Sequence, residues 1–334
     1  MTDRSAPSPW LGLVFGVLAA IGYSLANIFL RMVSDLDPVW VSFLKAIPTV
    51  VLFGPVAISQ VRTGKTPFPR ASSLLILTMA AISSQLLGNA MLQWSFGVVG
   101  VAMSVPLSLG TMIVFGAVIS WLVLQEPLTR WQGWGTAALV LAIMILSLAG
   151  RGAVSSVVDR QTSWLLVGGG IVAPILSGIS YAFLSVVIRR GVSREVSLSM
   201  TISLICAVGM LVLGPLSLYT AGLEEIAATT WPQYGIMLVA GLLNAISFVA
   251  LTLSFRHAPV IVGNAANSLQ NPLSAVAGVA LFHEAFSLNL AAGVVLTVFG
   301  VILMGLKDRP RAGRRKRPVE NNPVRAGAET EQPV

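Results

Sequence analysis

In the stretch NAANSLQNP, residues 264–272, four carboxamide side chains, a serine and a proline interrupt a run that is otherwise as apolar as lipid. On a helix turning ~100° per residue, Asn264, Asn267, Ser268 and Asn271 fall at i, i+3, i+4 and i+7 and form one stripe, whereas Gln270 points about a third of a turn away. Pro272 brings no N–H, so the carbonyl of Ser268 is predicted to lose its partner and the helix to bend there. Carboxamides beside a freed carbonyl offer both donors and acceptors. Such a surface either lines a cavity that takes a polar ligand or ties neighbouring helices together, the latter at ~0.6 kcal/mol per hydrogen bond.

Other polar residues within apolar stretches repeat the theme. Ser104, Ser108 and Thr111 stand at i, i+4 and i+7 around Pro106, and Gln85, Asn89 and Gln93 stand at i, i+4 and i+8; Asn244 and Ser247 add a further pair. Each set again reads as cavity wall or as helix-to-helix packing. Tyr23 with Asn27, and Tyr181 with Ser185, are i, i+4 pairs whose phenols present a flat face and a hydroxyl.

Lys45 is the one ionisable residue deep in an apolar stretch. A charge at the bilayer centre costs ~2.5 to 3.5 kcal/mol on insertion scales. Its ammonium therefore either snorkels toward the nearer surface or faces a cavity, where it meets a substrate carboxylate or changes protonation. The single cysteine, Cys206, reads as a small packing residue.

The sequence contains no H-E-x-x-H, G-x-S-x-G, C-x-x-C or Walker A pattern, and His257 and His283 fall at opposite helix ends. We therefore expect no catalytic residue, no metal and no cofactor, and no ATP hydrolysis by the chain itself.

The elements that must position these groups are membrane spans. Of 334 residues, 55% are hydrophobic and only 10% charged, and the mean hydropathy is +0.83, well beyond an ordinary soluble domain. A spanning helix needs ~20 mainly apolar residues, and ten stretches qualify: 10–30, 38–59, 72–96, 99–124, 131–149, 164–188, 196–219, 231–255, 260–282 and 286–306. The first is too long for a signal-peptide core and lacks a small-residue cleavage pattern, so it reads as a retained helix. The chain divides into a tail (1–9), a first five-helix unit (10–149), a linker (150–163), a second five-helix unit (164–306) and a basic, then disordered, tail (307–334).

The net charge of +8 lies mostly in Lys307, Arg309, Arg311, Arg314, Arg315, Lys316 and Arg317. Beside a final span such a cluster is a topology signal attracted to anionic headgroups rather than a nucleic-acid patch. It places both termini in the cytoplasm. Arg62, Lys65, Arg70, Arg130, Arg189, Arg190, Arg194 and Arg256 then fall on the same side, and Asp35, Asp37, Asp159, Glu224 and Glu225 on the other, with Arg31, Arg151 and Arg160.

Self-comparison at an offset of about 158 to 160 residues aligns the two halves. Tyr23 meets Tyr181, Arg31 meets Arg189, "LFGP" (52–55) meets "VLGP" (212–215), Ser95-Phe96 meets Ser254-Phe255, Glu126 meets Glu284 and Gly135 meets Gly293. Two units of five helices each must enter the membrane from opposite sides, which makes the fold an all-α polytopic membrane protein of two inverted five-helix repeats. That is an architecture of alternating-access transporters, with the substrate at the interface of the repeats.

The segments "SWLVLQEPLTRWQGWGTAALVLAIMIL" (120–146) and "GVALFHEAFSLNLAAGVVLTVFGVILM" (278–304) each close an apolar helix on a glutamate and follow it with a short turn and a glycine-bearing helix. This doubled pattern resembles the drug/metabolite transporter superfamily and its EamA-type members, over residues 10–306. The resemblance implies a ten-helix transporter of small organic metabolites or drug-like solutes, often outward, in a bacterial inner membrane, without naming a substrate. It also implies that Glu126 and Glu284 anchor their turns, and that a basic residue near Lys45 is common. The proline usual in the fourth helix of each repeat is matched by Pro272 but lies earlier, at Pro106, in the first half. The expected partners are a small organic solute and the lipid bilayer, with no nucleic acid; proton coupling would have to run through Lys45, Glu126 or Glu284. An integral-membrane enzyme or a scaffold are the rival readings.

Overall fold

Small residues in the chain's apolar stretches let helices approach closely, and bulky ones face outward. In the computed structural model, residues 9–64, 70–99, 101–125, 129–149, 164–192, 197–282 and 288–305 are described. Every regular element among them is a helix. The first half comprises α1 (Pro9–Arg31), α2 (Pro38–Leu44), α3 (Ile47–Arg62), α4 (Ala71–Ser83), a π-helical segment (Ser84–Ala90), α5 (Met91–Val99), α6 (Val101–Leu124) and α7 (Arg130–Ala149). The second comprises α8 (Trp164–Val192), α9 (Leu198–Thr220), α10 (Gly222–Ala228), α11 (Trp231–His257), α12 (Val260–Asn267), α13 (Gln270–Phe282) and α14 (Leu288–Gly305).

Seven described segments are long and apolar enough to cross a membrane, the first being Pro9–Arg31 and the last Trp231–His257, and Ala291–Met304 is a shorter apolar helix. Their outward faces carry bare hydrophobic side chains, such as Leu165 at 88% and Leu211 at 76% exposure. In water such a surface would aggregate; against lipid tails it is matched. The interior is rich in alanine and serine, including Ala19, Ala20, Ala80, Ala265, Ser42, Ser95 and Ser177, all fully buried.

The halves interlock. α1 packs on α11, and its repeat counterpart α8 packs on α5 and the π segment; α6 packs on α8 as α12 packs on α1; α3 pairs with α9 and α7 with α14. Exchanging the halves turns each of these pairings into another or into itself, so the internal repeat seen in sequence is also a repeat of packing.

At one end, Asp37 starts α2 by accepting from the N–H groups of Val39 (3.0 Å) and Trp40 (2.8 Å), with Pro38 at the first helical position. The Asp37 N–H itself donates to Glu225 Oε1 at 2.7 Å, and Trp40 Nε1 donates to Thr229 at 3.2 Å. At the other end Arg189 donates to the carbonyls of Phe255 and, at 3.1 Å, Arg256, closing off the C-terminus of α11.

Three spans depart from regular α-helix. The second breaks at Lys45-Ala46, between α2 and α3, with Pro48 just inside α3. A side chain at Gly241 would lie 2.6 Å from the Lys45 carbonyl oxygen and 3.0 Å from its Cα, so α11 closes on the break through that glycine. The third span widens into the π segment, and the displaced carbonyl of Gly88 accepts from Ser177 Oγ of α8 at 2.9 Å. The stretch expected as one span over 260–282 is divided at Ser268-Leu269.

This last break corrects the expectation of a bend at Pro272. The chain turns four residues earlier, and the carbonyl of Ser268 is not left free: it accepts from Asn271 N–H at 3.0 Å, in a tighter i→i+3 turn. Pro106, by contrast, sits near the start of α6, where loss of one hydrogen bond leaves the helix continuous. None of the three irregularities recurs in the other half, since α6, α9 and α11 run unbroken through the matching positions.

Candidate functional site

A central cavity lies where these irregular points converge. It has a volume of about 130 Å³, on the order of a cavity that holds one small organic molecule. Both halves supply its wall, whereas α7 and α14 supply no lining residue.

The polar wall is built from side chains held by one another. Tyr181 donates from its hydroxyl to Asn89 Oδ1 at 2.9 Å, Asn89 Nδ2 donates to Gln85 Oε1 at 2.7 Å, and Gln85 Nε2 reaches the Ile205 carbonyl at 3.5 Å. This chain joins α8, the π segment and α9. Gln93 Nε2 donates to the carbonyl of Leu30 (3.4 Å), and Asn27 Nδ2 to Gln270 Oε1 (3.3 Å). Ser108 and Ser177 hydroxyls pair at 3.2 Å between α6 and α8.

Of the sequence-based candidates, Tyr23, Asn27, Lys45, Gln85, Asn89, Ser108, Tyr181 and Asn267 border the cavity, as do Gln93, Asn244 and Ser185. Asn264, Ser268 and Asn271 do not. Asn264 accepts from Ser185 at 3.4 Å and packs its amide nitrogen against Gly116 of α6, and Ser268 turns its hydroxyl back to the Ala265 carbonyl at 2.6 Å. For Asn271 the reason is the turn at 268–269. It resets the helical phase beyond it, so Asn271 leaves the cavity while Gln270, which an unbroken helix would aim elsewhere, joins it; Asn264, before the turn in the same helix as Asn267, faces Ser185 and Gly116 instead. Ser104, Thr111 and Ser247 likewise bond within the helix packing, Ser104 to Ser95, Thr111 to the Leu107 carbonyl and Ser247 to the Leu243 carbonyl. Glu126 and Glu284 lie outside the described residues.

The apolar part of the wall was not singled out from sequence. Phe96, Phe248 and Phe255 border the cavity, and so does Cys206. Phe96 and Phe255 had a signal, the repeated Ser-Phe dipeptide, and they take related places in the two halves just as Tyr23 and Tyr181 do.

Asn271 is 3% exposed, and both polar atoms of its side chain lack a partner. Leaving a buried amide unpaired costs ~1 to 3 kcal/mol. Asn271→Leu is therefore expected to raise the midpoint of thermal unfolding in detergent. A fall of several degrees would instead show that the amide holds the fold together.

A profile of the EamA-like transporter family matches residues 10–148 and 168–306. The chain belongs to the EamA-like transporter family. The two matched stretches are the two interlocked halves, so the EamA-like cavity lies between two copies of one family unit. Mouse solute carrier family 35 member G1 is 22% identical over 145 residues, 43% of this chain; the match covers 38% of that relative's length. A crystal structure of a protein superposes with a TM-score of 0.65 at 16% identity, over 87% of this chain and 95% of that one. That likeness speaks for the fold alone.

Proposed function

We propose that this EamA-like protein is a secondary transporter of a small organic metabolite or drug-like solute, moved outward by alternating access across a bacterial inner membrane. In this reading it is a ten-helix bundle of two inverted five-helix repeats, with both termini cytoplasmic. The observation that carries it is a central cavity walled by polar side chains from both family units, with Lys45 at the α2–α3 break, Ser84, Gln85 and Asn89 of the π segment, and Asn267 and Gln270 on either side of the 268–269 turn all on that wall. Bound solute would contact both repeats, so a relative rocking of the repeats changes the side from which it is reached. The breaks at Lys45-Ala46 and Ser268-Leu269 and the π segment are where short stretches of backbone absorb the motion, with Pro48, Pro106, Pro174 and Pro272 weakening the adjacent helix. The outward direction follows the family resemblance. Among the described residues the wall carries amides, hydroxyls, one thiol and one ammonium, and membership of a transporter family supports solute movement rather than catalysis.

Cys206 is the chain's single cysteine and borders the cavity, so the wild-type protein carries its own reporter. An anionic, membrane-impermeant thiosulfonate is expected to modify it in sealed vesicles of either orientation, and a transported solute to slow both reactions. Modification from one face only, under every solute condition, contradicts alternating access.

A further inference from the structure

We propose that the cavity selects small organic monocarboxylates, with the Lys45 ammonium receiving the carboxylate. The proposal rests on the transport reading in taking this cavity as the solute site, and goes beyond it in naming the solute's charge and chemistry.

Lys45 sits at the break between α2 and α3, is 7% exposed and borders the cavity. A buried ammonium is tolerated when an anion or water faces it. Among the described residues no carboxylate borders the cavity. The described carboxylates lie together at one end of the bundle, Asp35 and Asp37 between α1 and α2 and Glu224 and Glu225 within α10, with the Asp37 N–H bonded to Glu225. Cys206 shares the wall with Lys45 as a thiol, and among the described residues no other cation borders the cavity. The cavity therefore presents one positive charge, and a ligand with one negative charge neutralises it.

Two neutral donors complete the picture. The Tyr23 hydroxyl and the Asn244 carboxamide border the same cavity and make no hydrogen bond to another described residue. Tyr181 and Asn89, by contrast, already hold each other. A carboxylate accepts at several lone pairs, which an ammonium with neutral donors can fill. Phe96, Phe248 and Phe255 fit an apolar or aromatic body. An amine would set cation against cation. A phosphate monoester shares the anionic chemistry but carries close to two charges, one more than a single lysine neutralises in a water-poor site.

The test compares matched probes on the purified full-length protein by thermal unfolding. The probes are 3-phenylpropanoate, 3-phenylpropanamide, 3-phenylpropylamine and 2-phenylethyl phosphate, with hexanoate and hexanamide as an aliphatic pair. At least one carboxylate is expected to raise the unfolding midpoint, with an apparent affinity roughly tenfold or more above its amide. Lys45→Met is expected to erase that preference and Lys45→Arg to keep part of it. The proposal is overturned if neither carboxylate outperforms its amide, if the amine or the phosphate ester binds best, or if the preference survives in Lys45→Met. The wild-type comparison decides even if the variants do not fold. Carboxylate binding without solute flux would sink the transport reading alone, and flux of amines without a carboxylate response would sink this proposal alone.

Discussion

Gly178→Val is expected to leave little folded protein in the membrane. Gly178 lies where α8 crosses α6, and a Cβ there would run into the Ser108 carbonyl oxygen, 2.7 Å from Thr111 Cβ and 3.0 Å from the Met112 nitrogen. Two of those three atoms are backbone and cannot swing aside. Overpacking an ordinary core site costs ~1 to 3 kcal/mol, and a site that cannot yield sits at or above the top of that range. Parting the helices would also pull Ser177 from Ser108 and from the Gly88 carbonyl, and so open the cavity wall. The check is the yield and unfolding midpoint of the purified variant beside Gly168→Val, whose added side chain meets nothing within 4 Å. Gly168→Val should behave as wild type; equal behaviour of the two variants would show that the α6–α8 crossing is not tight.

The second large effect falls on transport rather than folding. Asn89→Leu removes the acceptor of Tyr181 and the donor to Gln85, bonds of 2.9 and 2.7 Å. Interhelical hydrogen bonds in membranes average only ~0.6 kcal/mol and reach ~1.7, too little to unfold the bundle. Both orphaned groups face the cavity and can be wetted. What is lost is position: Tyr181 and Gln85 no longer fix each other across the π segment, α8 and α9. A flux at least about tenfold below wild type, with the unfolding midpoint lowered by a few degrees at most, is the expected result, a positioning loss of ~1.4 kcal/mol or more. Tyr181→Phe should reduce flux less, and the double variant should be no worse than Asn89→Leu. Additive losses would show that the two side chains act separately.

Much of this site was legible because its residues obey helical periodicity. Gln85 and Asn89 at i, i+4 are bonded to each other, and Tyr23 and Tyr181, matched through the internal repeat, both border the cavity. Lys45 stood out as a charge in an apolar stretch, and burial on the cavity is one of the two places open to it. What failed was the assumption of constant phase. Pro272 announced a broken helix but not the point of breakage, because the chain relieves the missing N–H by turning at Ser268-Leu269 and supplying Asn271 N–H instead. From there on each residue was assigned to the wrong face, which exchanged the places of Asn271 and Gln270. The π segment had no local signature at all: its displaced carbonyl is satisfied by Ser177, 89 residues away. Phe96 and Phe255 were read as markers of the repeat and not as wall, since an aromatic residue among apolar neighbours carries no sign of the cavity it faces.

The most direct test of the central claim is counterflow in liposomes holding the purified full-length protein, with a labelled small solute outside and the same solute unlabelled inside. For at least one organic solute the label should accumulate transiently, saturate with concentration and fall at least about tenfold in Asn89→Leu. If no solute from a panel of carboxylates, amides, amines and amino acids moves above protein-free liposomes, or if movement is unchanged in Asn89→Leu, the cavity between the two halves is not a transport site.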